Sequence, residues 1–433
     1  MKKVLIITYY WPPASGPGVQ RWLKFAKYLP EFGWQPIILT VKNGSFPAYD
    51  ESLLKDIPET SEIFYSKTLE PFTLYNFLRG KKGTSVEPGM SSIKGKNKSL
   101  YQKIAAYIRA NFFIPDARIG WLPYALKEVK NILKKHKIDI VITTSPPHSA
   151  QLIGAAIKEQ YHLPWIADFR DPWVNMYINQ ILDLSSRVKQ KNIQYENKVL
   201  RLADMVMVVG NSMHKEFTPR NSNTYVLYNG FDTKDLPSLE AKPSVNFVLE
   251  YVGKLSPVAD TPILWKTIKE LRNSYPNFKK HFRLSFTGMI SEPIKQSIEK
   301  EKLSTITSFH PFIPHQEAIK KMIDANMLLL IIANTPENDR IITGKIFEYL
   351  ATQTPILGIG PIEGDAAILL RQCERMPMVD FNDANGMKKA LLTHFDHWLK
   401  HQNFSLKNTN NLHLKFSRKK ITQKLVHLLD GLI

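Results

Sequence analysis

Short apolar runs alternate with helical stretches along this 433-residue chain, and that alternation most limits what it can fold into. "KKVLIIT", "PIILTV", "DIVITT", "PWIADF", "MVMVVG" and "TYVLYN" read as strands, most of them separated by segments with apolar residues at helical spacing. The first such segment sets Val19, Trp22, Leu23 and Ala26 on one face. Strands alternating with helices, and strands that are apolar almost throughout, point to a parallel sheet covered on both faces. The pattern then restarts. "NFVLEYVGKLSP" repeats the order of the chain's own beginning, an apolar strand, a turn with Gly and Pro, then a helix. "FRLSFTG", "TITSFH", "MLLLIIA", "PILGIG" and "MPMVDF" are expected as further strands. Between the halves, "FDTKDLPSLEAKPS" is polar, carries two prolines and reads as a linker. The expectation is α/β, with two doubly wound domains in tandem and ligand crevices at the carboxyl ends of the strands.

Composition narrows the chemistry. A single cysteine, Cys373, allows no disulfide within the chain and supports no cysteine metal site, which suits a reducing, cytoplasmic compartment. "MKKVLIITYYWPP" resembles a leader only superficially. Its apolar run meets Trp11-Pro12-Pro13 with no small-residue cleavage site, so a buried first strand is expected. The longest apolar run, Met327 to Ala333, is far too short to span a bilayer. A net charge of +19 favours an anionic partner, either a phosphate-bearing substrate or an acidic membrane surface. No zinc finger, basic zipper or RNA-recognition signature is present, so nucleic acid is not expected. Residues 79–99 carry six Lys/Arg against one acidic residue, Glu87, and read as a basic loop with no core. Tyr101, Ile104, Ala105, Ile108 and Phe112 follow at helical spacing. Two readings stay open there: a helix packed on its own domain, or a membrane-surface helix beside a polybasic loop.

Three turns carry candidate chemistry. In "YYWPPASGPGVQRW", Gly16 and Gly18 lie between the first strand and the first helix. A dinucleotide fingerprint needs a third glycine where Arg21 stands, so that match fails. Two glycines there still let ligand oxygens approach backbone amides, and a tight turn with no ligand is the alternative. In the second half, Gly253 and Lys254 end a strand, where the lysine is either a phosphate partner or a solvated surface charge. Asp260 or Thr261 is expected to cap the next helix, with Pro262 at its first position. In "GKIFEYLATQTPILGIG", Glu348 lies in the first turns of a helix that is expected to run to Thr354-Pro355, beside a short apolar strand. A carboxylate there, at the mouth of a parallel sheet, is placed to hold a polar ligand.

These landmarks, with "VITTSPPHSAQLIGAAI", "PWIADFRDPW", "MVVGNS" and "VLYNGFD", occur in an order that resembles the family-4 glycosyltransferases of GT-B fold. The resemblance spans nearly the whole chain and is nearest to members that build bacterial surface polysaccharides. It implies two Rossmann-like domains, 1–228 on the acceptor side and 229–411 for the nucleotide-sugar, facing across a cleft. It also implies a C-terminal helix, 412–433, packing back on the first domain. It further implies retaining transfer of a sugar from a nucleotide-sugar to a glycan or lipid-linked acceptor, without metal or cofactor. Glu348 matches the family's ribose-binding glutamate. The companion glutamate falls at Arg340, a departure at the position that touches the donor sugar. The amides of Ile341, Ile342, Thr343 and Gly344 are implied around the diphosphate or sugar. Lys254 matches a phosphate-binding arginine. The family's later lysine has no counterpart at Val258-Ala259-Asp260, a gap that Lys345 is expected to fill. Arg170-Asp171 stands where His-Asp is common, so Lys254, Lys345, Arg170 and Asp171 form the candidate catalytic set. Arg21, His148 and Asp168 are expected on the acceptor side, with His148 either capping a helix or meeting ligand. Two other readings remain: a relative that binds glycan or sugar nucleotide without transfer, and a sugar-nucleotide epimerase on the same fold.

Overall fold

The computed structural model describes residues 1–46, 48–70, 107, 111–176, 182, 184–236, 243–401, 407 and 409–433. The chain divides into two compact units, Met1–Tyr228 together with Ile421–Ile433, and Asn229–Lys420.

The first unit is built on β1 (Lys2–Ile7), β2 (Trp34–Val41), β3 (Glu62–Ser66), β4 (Ile140–Ser145), β5 (Trp165–Phe169), β6 (Met205–Val208) and β7 (Thr224–Val226). Their order in the sheet is β3-β2-β1-β4-β5-β6-β7. The pairs are parallel, as in Leu5 beside Ile37 on one side and Val141 on the other. Val4 to Ile7 are fully buried, as a strand between two helical layers must be. Helix Pro17–Tyr28 buries Val19, Trp22, Leu23 and Ala26 against that sheet's core, the face its periodicity predicts. The chain's last residues return to this unit. Ile421, Leu425 and Leu429 are buried, and Asp430 accepts from Lys2 Nζ at 2.8 Å and from Trp34 Nε1 at 3.2 Å. Each fully buried Leu or Ile side chain stabilises by roughly 1.5–3 kcal/mol.

The second unit has β8 (Phe247–Val252), β9 (Phe282–Thr287), β10 (Thr307–His310), β11 (Met327–Ile331) and β12 (Ile356–Ile359), in the order β10-β9-β8-β11-β12. Its pairs are also parallel. An aromatic group of Phe247, Phe278, Phe282, Phe395 and Trp398 fills one side of it. In each sheet the strand order reverses once, between β1 and β4 and between β8 and β11. Such switch points open a crevice at the carboxyl ends of the strands.

Several expectations are corrected. Residues 376–381 form no strand. Only Val379 pairs, with Ile359, because Pro377 has no N–H to give a ladder. β3, a half-exposed edge strand, was not anticipated. The helix carrying Glu348 is Lys345–Ala351 and stops before Thr354-Pro355, with Gln353 in the left-handed region at φ 59°. The C-terminal crossing is shorter than 412–433. Residues 412–420 stay with the second unit, where the Phe416 ring lies 5.5 Å from that of Phe347. The basic loop 79–99 and the stripe Tyr101, Ile104, Ala105 and Ile108 lie outside the described residues. Phe112, at the stripe's end, is 72% exposed.

Candidate active site

The first crevice gathers Thr8 to Gly18 after β1, Pro146-Pro147-His148 after β4, and Arg170-Asp171 after β5. Asp168, on β5, is fully buried. Its carboxylate accepts from Arg21 Nη2 at 2.8 Å and Nε at 3.2 Å, from Trp22 Nε1 at 2.9 Å and from Thr144 Oγ1 at 2.8 Å. Arg21 is equally buried and also donates to the Tyr228 carbonyl at 3.1 Å. Arg21 and Asp168 therefore do not belong to an acceptor surface. They are a core ion pair that ties helix Pro17–Tyr28 to β5, with the carboxylate saturated by four donors.

Gly18 also has a packing role. A Cβ on Gly18 would fall 1.9 Å from Arg170 Nη1, so the glycine makes room for the arginine. Arg170 donates through Nε to the Ser145 carbonyl at 3.2 Å and through Nη2 to the Pro146 carbonyl. Those bonds fasten the guanidinium to the end of β4. Gly16 has φ 119°, which favours glycine, and open space where a Cβ would stand. Asp171 is half-buried, and burial raises its carboxyl pKa against the lowering pull of Arg170.

His148 precedes helix Ser149–Tyr161 but does not cap it with its side chain. Its ring stacks on Trp173 at 5.0 Å and 12°, and neither buried ring nitrogen has a hydrogen-bond partner. Burial, with the Arg170 charge, pushes its pKa down to about 3, so the imidazole is neutral. The cap is Asp116, which sequence reasoning missed. It accepts from Ser149 N at 2.8 Å and Ser149 Oγ at 2.9 Å. No local pattern marks a residue 33 positions upstream as a cap. A second missed group is Tyr9, Glu70 and Arg118: Tyr9 donates to Glu70, and Arg118 Nη1 bonds the same carboxylate at 2.8 Å.

The second crevice is looser. β8 runs into Gly253, at φ 117°, and Lys254. Lys345 Nζ lies 3.3 Å from where a Gly253 Cβ would stand, donates to the Tyr251 hydroxyl and sits 3.8 Å from that ring's centre. Tyr251 in turn donates to the Lys254 carbonyl at 2.8 Å. Burial lowers the Lys345 ammonium to about 7, against the opposing pull of Glu348. The Lys254 side chain is exposed and holds no ion pair among the described residues.

Glu348 lies three positions after Lys345, on the same side of the helix. Its carboxylate accepts from His315 Nε2 at 2.8 Å. His315 opens helix His315–Asp324 after β10 and was not singled out from the sequence, where nothing marks it. Arg340 ends the tight turn Asn338–Arg340 and pairs with Glu337 at 3.7 Å. Ile341 and Ile342 follow it, half-buried. Thr343 Oγ1 is buried with no hydrogen-bond partner, and Gly344 has open space beside its α-carbon. Asp260 accepts from Thr261 N and Trp265 Nε1, both at 2.9 Å, at the start of helix Pro262–Ser274.

Two parallel, doubly wound sheets define the GT-B class. Residues 94–235, about a third of the chain, match the model for Glycosyltransferase Family 4. Solved structures match along the full length. Sucrose-phosphate synthase from Thermosynechococcus elongatus has a TM-score of 0.63 at 13% identity, covering 100% of this chain and 99% of that one. An α,α-trehalose-phosphate synthase (UDP-forming) from Burkholderia xenovorans, in complex with glucose-6-phosphate, has a TM-score of 0.60 at 10% identity, with both chains covered completely. S. aureus TarM, in a mutant form with fondaparinux, α-GlcNAc-glycerol and UDP, has a TM-score of 0.57 at 11% identity, covering 99% and 100%. A search of curated protein sequences returned no match. The fold is that of the GT-B glycosyltransferases, and residues 94–235 are similar to glycosyltransferase family 4. Among the described residues, no helix is long and apolar enough to cross a membrane.

Proposed function

We propose that this enzyme is a retaining glycosyltransferase that moves a sugar from a nucleotide-sugar to a glycan or lipid-linked acceptor in cell-surface polysaccharide assembly. The observation that carries the reading is the grouping of Gly253, Lys345 and Glu348 at the switch point of the second sheet. A partly buried ammonium next to a backbone with no Cβ suits a diphosphate. A carboxylate one turn further suits the vicinal hydroxyls of a ribose.

In the reaction, the bond from the sugar's anomeric carbon to the diphosphate breaks and a bond to the acceptor oxygen forms on the same face. The acceptor's proton passes to the leaving diphosphate, so no side chain need become covalently attached. Lys345 and Lys254 stabilise the negative charge that grows on the leaving group, without a metal. The amides of Ile341 to Gly344 line the donor, and Arg340 faces the sugar in place of a carboxylate. On the acceptor side the neutral His148 ring and Asp171 offer hydrogen-bonding groups, while Arg170, held by β4 carbonyls, keeps positive charge nearby. The enzyme works in the cytoplasm, at an anionic membrane surface when its acceptor is lipid-linked.

Thermal unfolding against UDP-, GDP-, ADP- and TDP-sugars tests the donor. A ligand bound only to the folded state raises Tm. One base class should do so, and release of free sugar or transfer to added glycan should follow with the same nucleotide. A panel with no shift and no turnover would overturn the reading. Conversion of the donor sugar without acceptor would favour the epimerase instead.

A further inference from the structure

We infer that His315 is a positioning residue for the donor: it holds the Glu348 carboxylate in the orientation that receives the ribose hydroxyls, and so contributes to discrimination between ribose and deoxyribose nucleotides. The inference rests on Glu348 being the ribose-binding group. It starts from one contact, His315 Nε2 donating to Glu348 Oε1 at 2.8 Å.

A glutamate side chain has three rotatable bonds, and ordering it costs up to about 2 kcal/mol of rotamer freedom. Glu348 projects from the short helix Lys345–Ala351, and its side chain is still 29% exposed. Left alone, it would sample several rotamers in water. The imidazole that fixes it comes from another strand end. His315 follows β10 after residues 311–314, whereas Glu348 follows β11. Its ring lies at the start of helix His315–Asp324, after Pro314, whose fixed φ restricts the approach of the chain.

The stoichiometry of hydrogen bonds permits the bond and the ligand together. An ionised carboxylate offers about four lone-pair sites. His315 takes one, on Oε1. Three remain, enough for two vicinal hydroxyls, so ribose need not displace the imidazole. The same helix shows the arrangement twice. Lys345 is held by Tyr251 at the end of β8, and Glu348 by His315 beyond β10. Each polar group of the helix thus has one protein partner that sets its direction, which is what binding without ordering cost requires.

Affinities for UDP, ADP and GDP and for their 2′-deoxy counterparts test this, with His315→Ala, His315→Gln and Glu348→Gln. Gln at 315 places an amide N–H near where Nε2 stands. For the ribonucleoside diphosphate that binds best, His315→Ala should weaken binding about tenfold, because the ligand must then order the carboxylate itself. His315→Gln should restore affinity to within about twofold of the starting protein, since the donor returns. The loss from His315→Ala should shrink on the 2′-deoxy ligand, and turnover at saturating donor should stay nearly constant. Ligand-free unfolding of the variants separates a folding defect from a binding defect, and His315→Gln keeps the test valid if alanine destabilises the helix. Unchanged or tighter binding by His315→Ala, with Glu348→Gln still weakened, would overturn the positioning role alone. An equal loss on ribose and deoxyribose ligands would also overturn it. An unaffected Glu348→Gln, or no binding of any nucleotide, would overturn the ribose reading beneath it.

Discussion

The two crevices use charged residues in opposite ways. At the first sheet, Arg21 and Asp168 are fully buried in each other, and Arg170 is fastened to carbonyls at the end of β4. At the second sheet, Lys254 is exposed, Lys345 rests on a tyrosine ring, and the Glu348 side chain is partly exposed. Both sets lie on or beside the strands of a doubly wound sheet, and both look alike as letters in a sequence. What separates them is saturation. A carboxylate with four protein donors is architecture, whereas one with a single donor has capacity left for a ligand.

The contrast breaks most visibly at Asp168. Asp168→Ala strands the Arg21 guanidinium in the core, which should cost about 3–5 kcal/mol of stability. Urea unfolding measures it, and near-wild-type stability would mean that the pair is solvated and the contrast false.

The next effect belongs to Lys345. Lys345→Met should lower kcat about 10²–10³-fold with a smaller change in donor KM, because charge builds on the diphosphate in the transition state. The protein should remain folded, since a buried ammonium is removed. Its titration sharpens the test. The folded-state value of about 7 lies below the ordinary 10.5, so between these pH values the unfolded chain holds a proton that the folded one does not. Stability should therefore rise with pH across that window, and Lys345→Met should remove the Lys345 share of the slope while leaving that of Lys407, which burial lowers to about 8. Affinity for a nucleoside diphosphate should run the other way and weaken as pH rises past about 7, because only the ammonium attracts it. A flat affinity profile in the parent protein would remove Lys345 from the phosphate site.

Glu348→Gln comes third. It should weaken donor binding by about 1–3 kcal/mol, from loss of charge-assisted bonds, with stability little changed. Calorimetric titration reads the binding and thermal unfolding reads the stability. Loss of stability comparable to Asp168→Ala would put Glu348 with the architectural charges.

His148→Leu should have the smallest effect on folding, within about 1 kcal/mol, because neither ring nitrogen makes a bond to lose. Acceptor KM should rise while donor KM holds. A change in donor KM alone would move His148 off the acceptor side.

How much of this was legible depends on whether the signal is local. The apolar runs that became β1, β4, β8 and β11 were readable, because a strand buried on both faces must be apolar throughout. The buried face of helix Pro17–Tyr28 was readable from its 3.6-residue period. The "MPMVDF" run failed because hydrophobicity was weighed without the missing N–H of Pro377.

By itself, then, the sequence determined two α/β repeats, their strand ends, and which segments carry glycines and charges there. Only the tertiary structure decided the partners. Asp168 meets Arg21 across 147 positions because β5 lies beside β4, and β4 beside β1, in the sheet. Glu348 meets His315 because the chain leaves β10 and β11 at the same carboxyl end of the parallel sheet. Side-chain period is set within a few residues of the backbone, whereas strand order is set by the packing of the whole domain. The number of donors that reach a carboxylate follows from that packing, and with it the difference between a charge that holds the fold and one that holds a ligand.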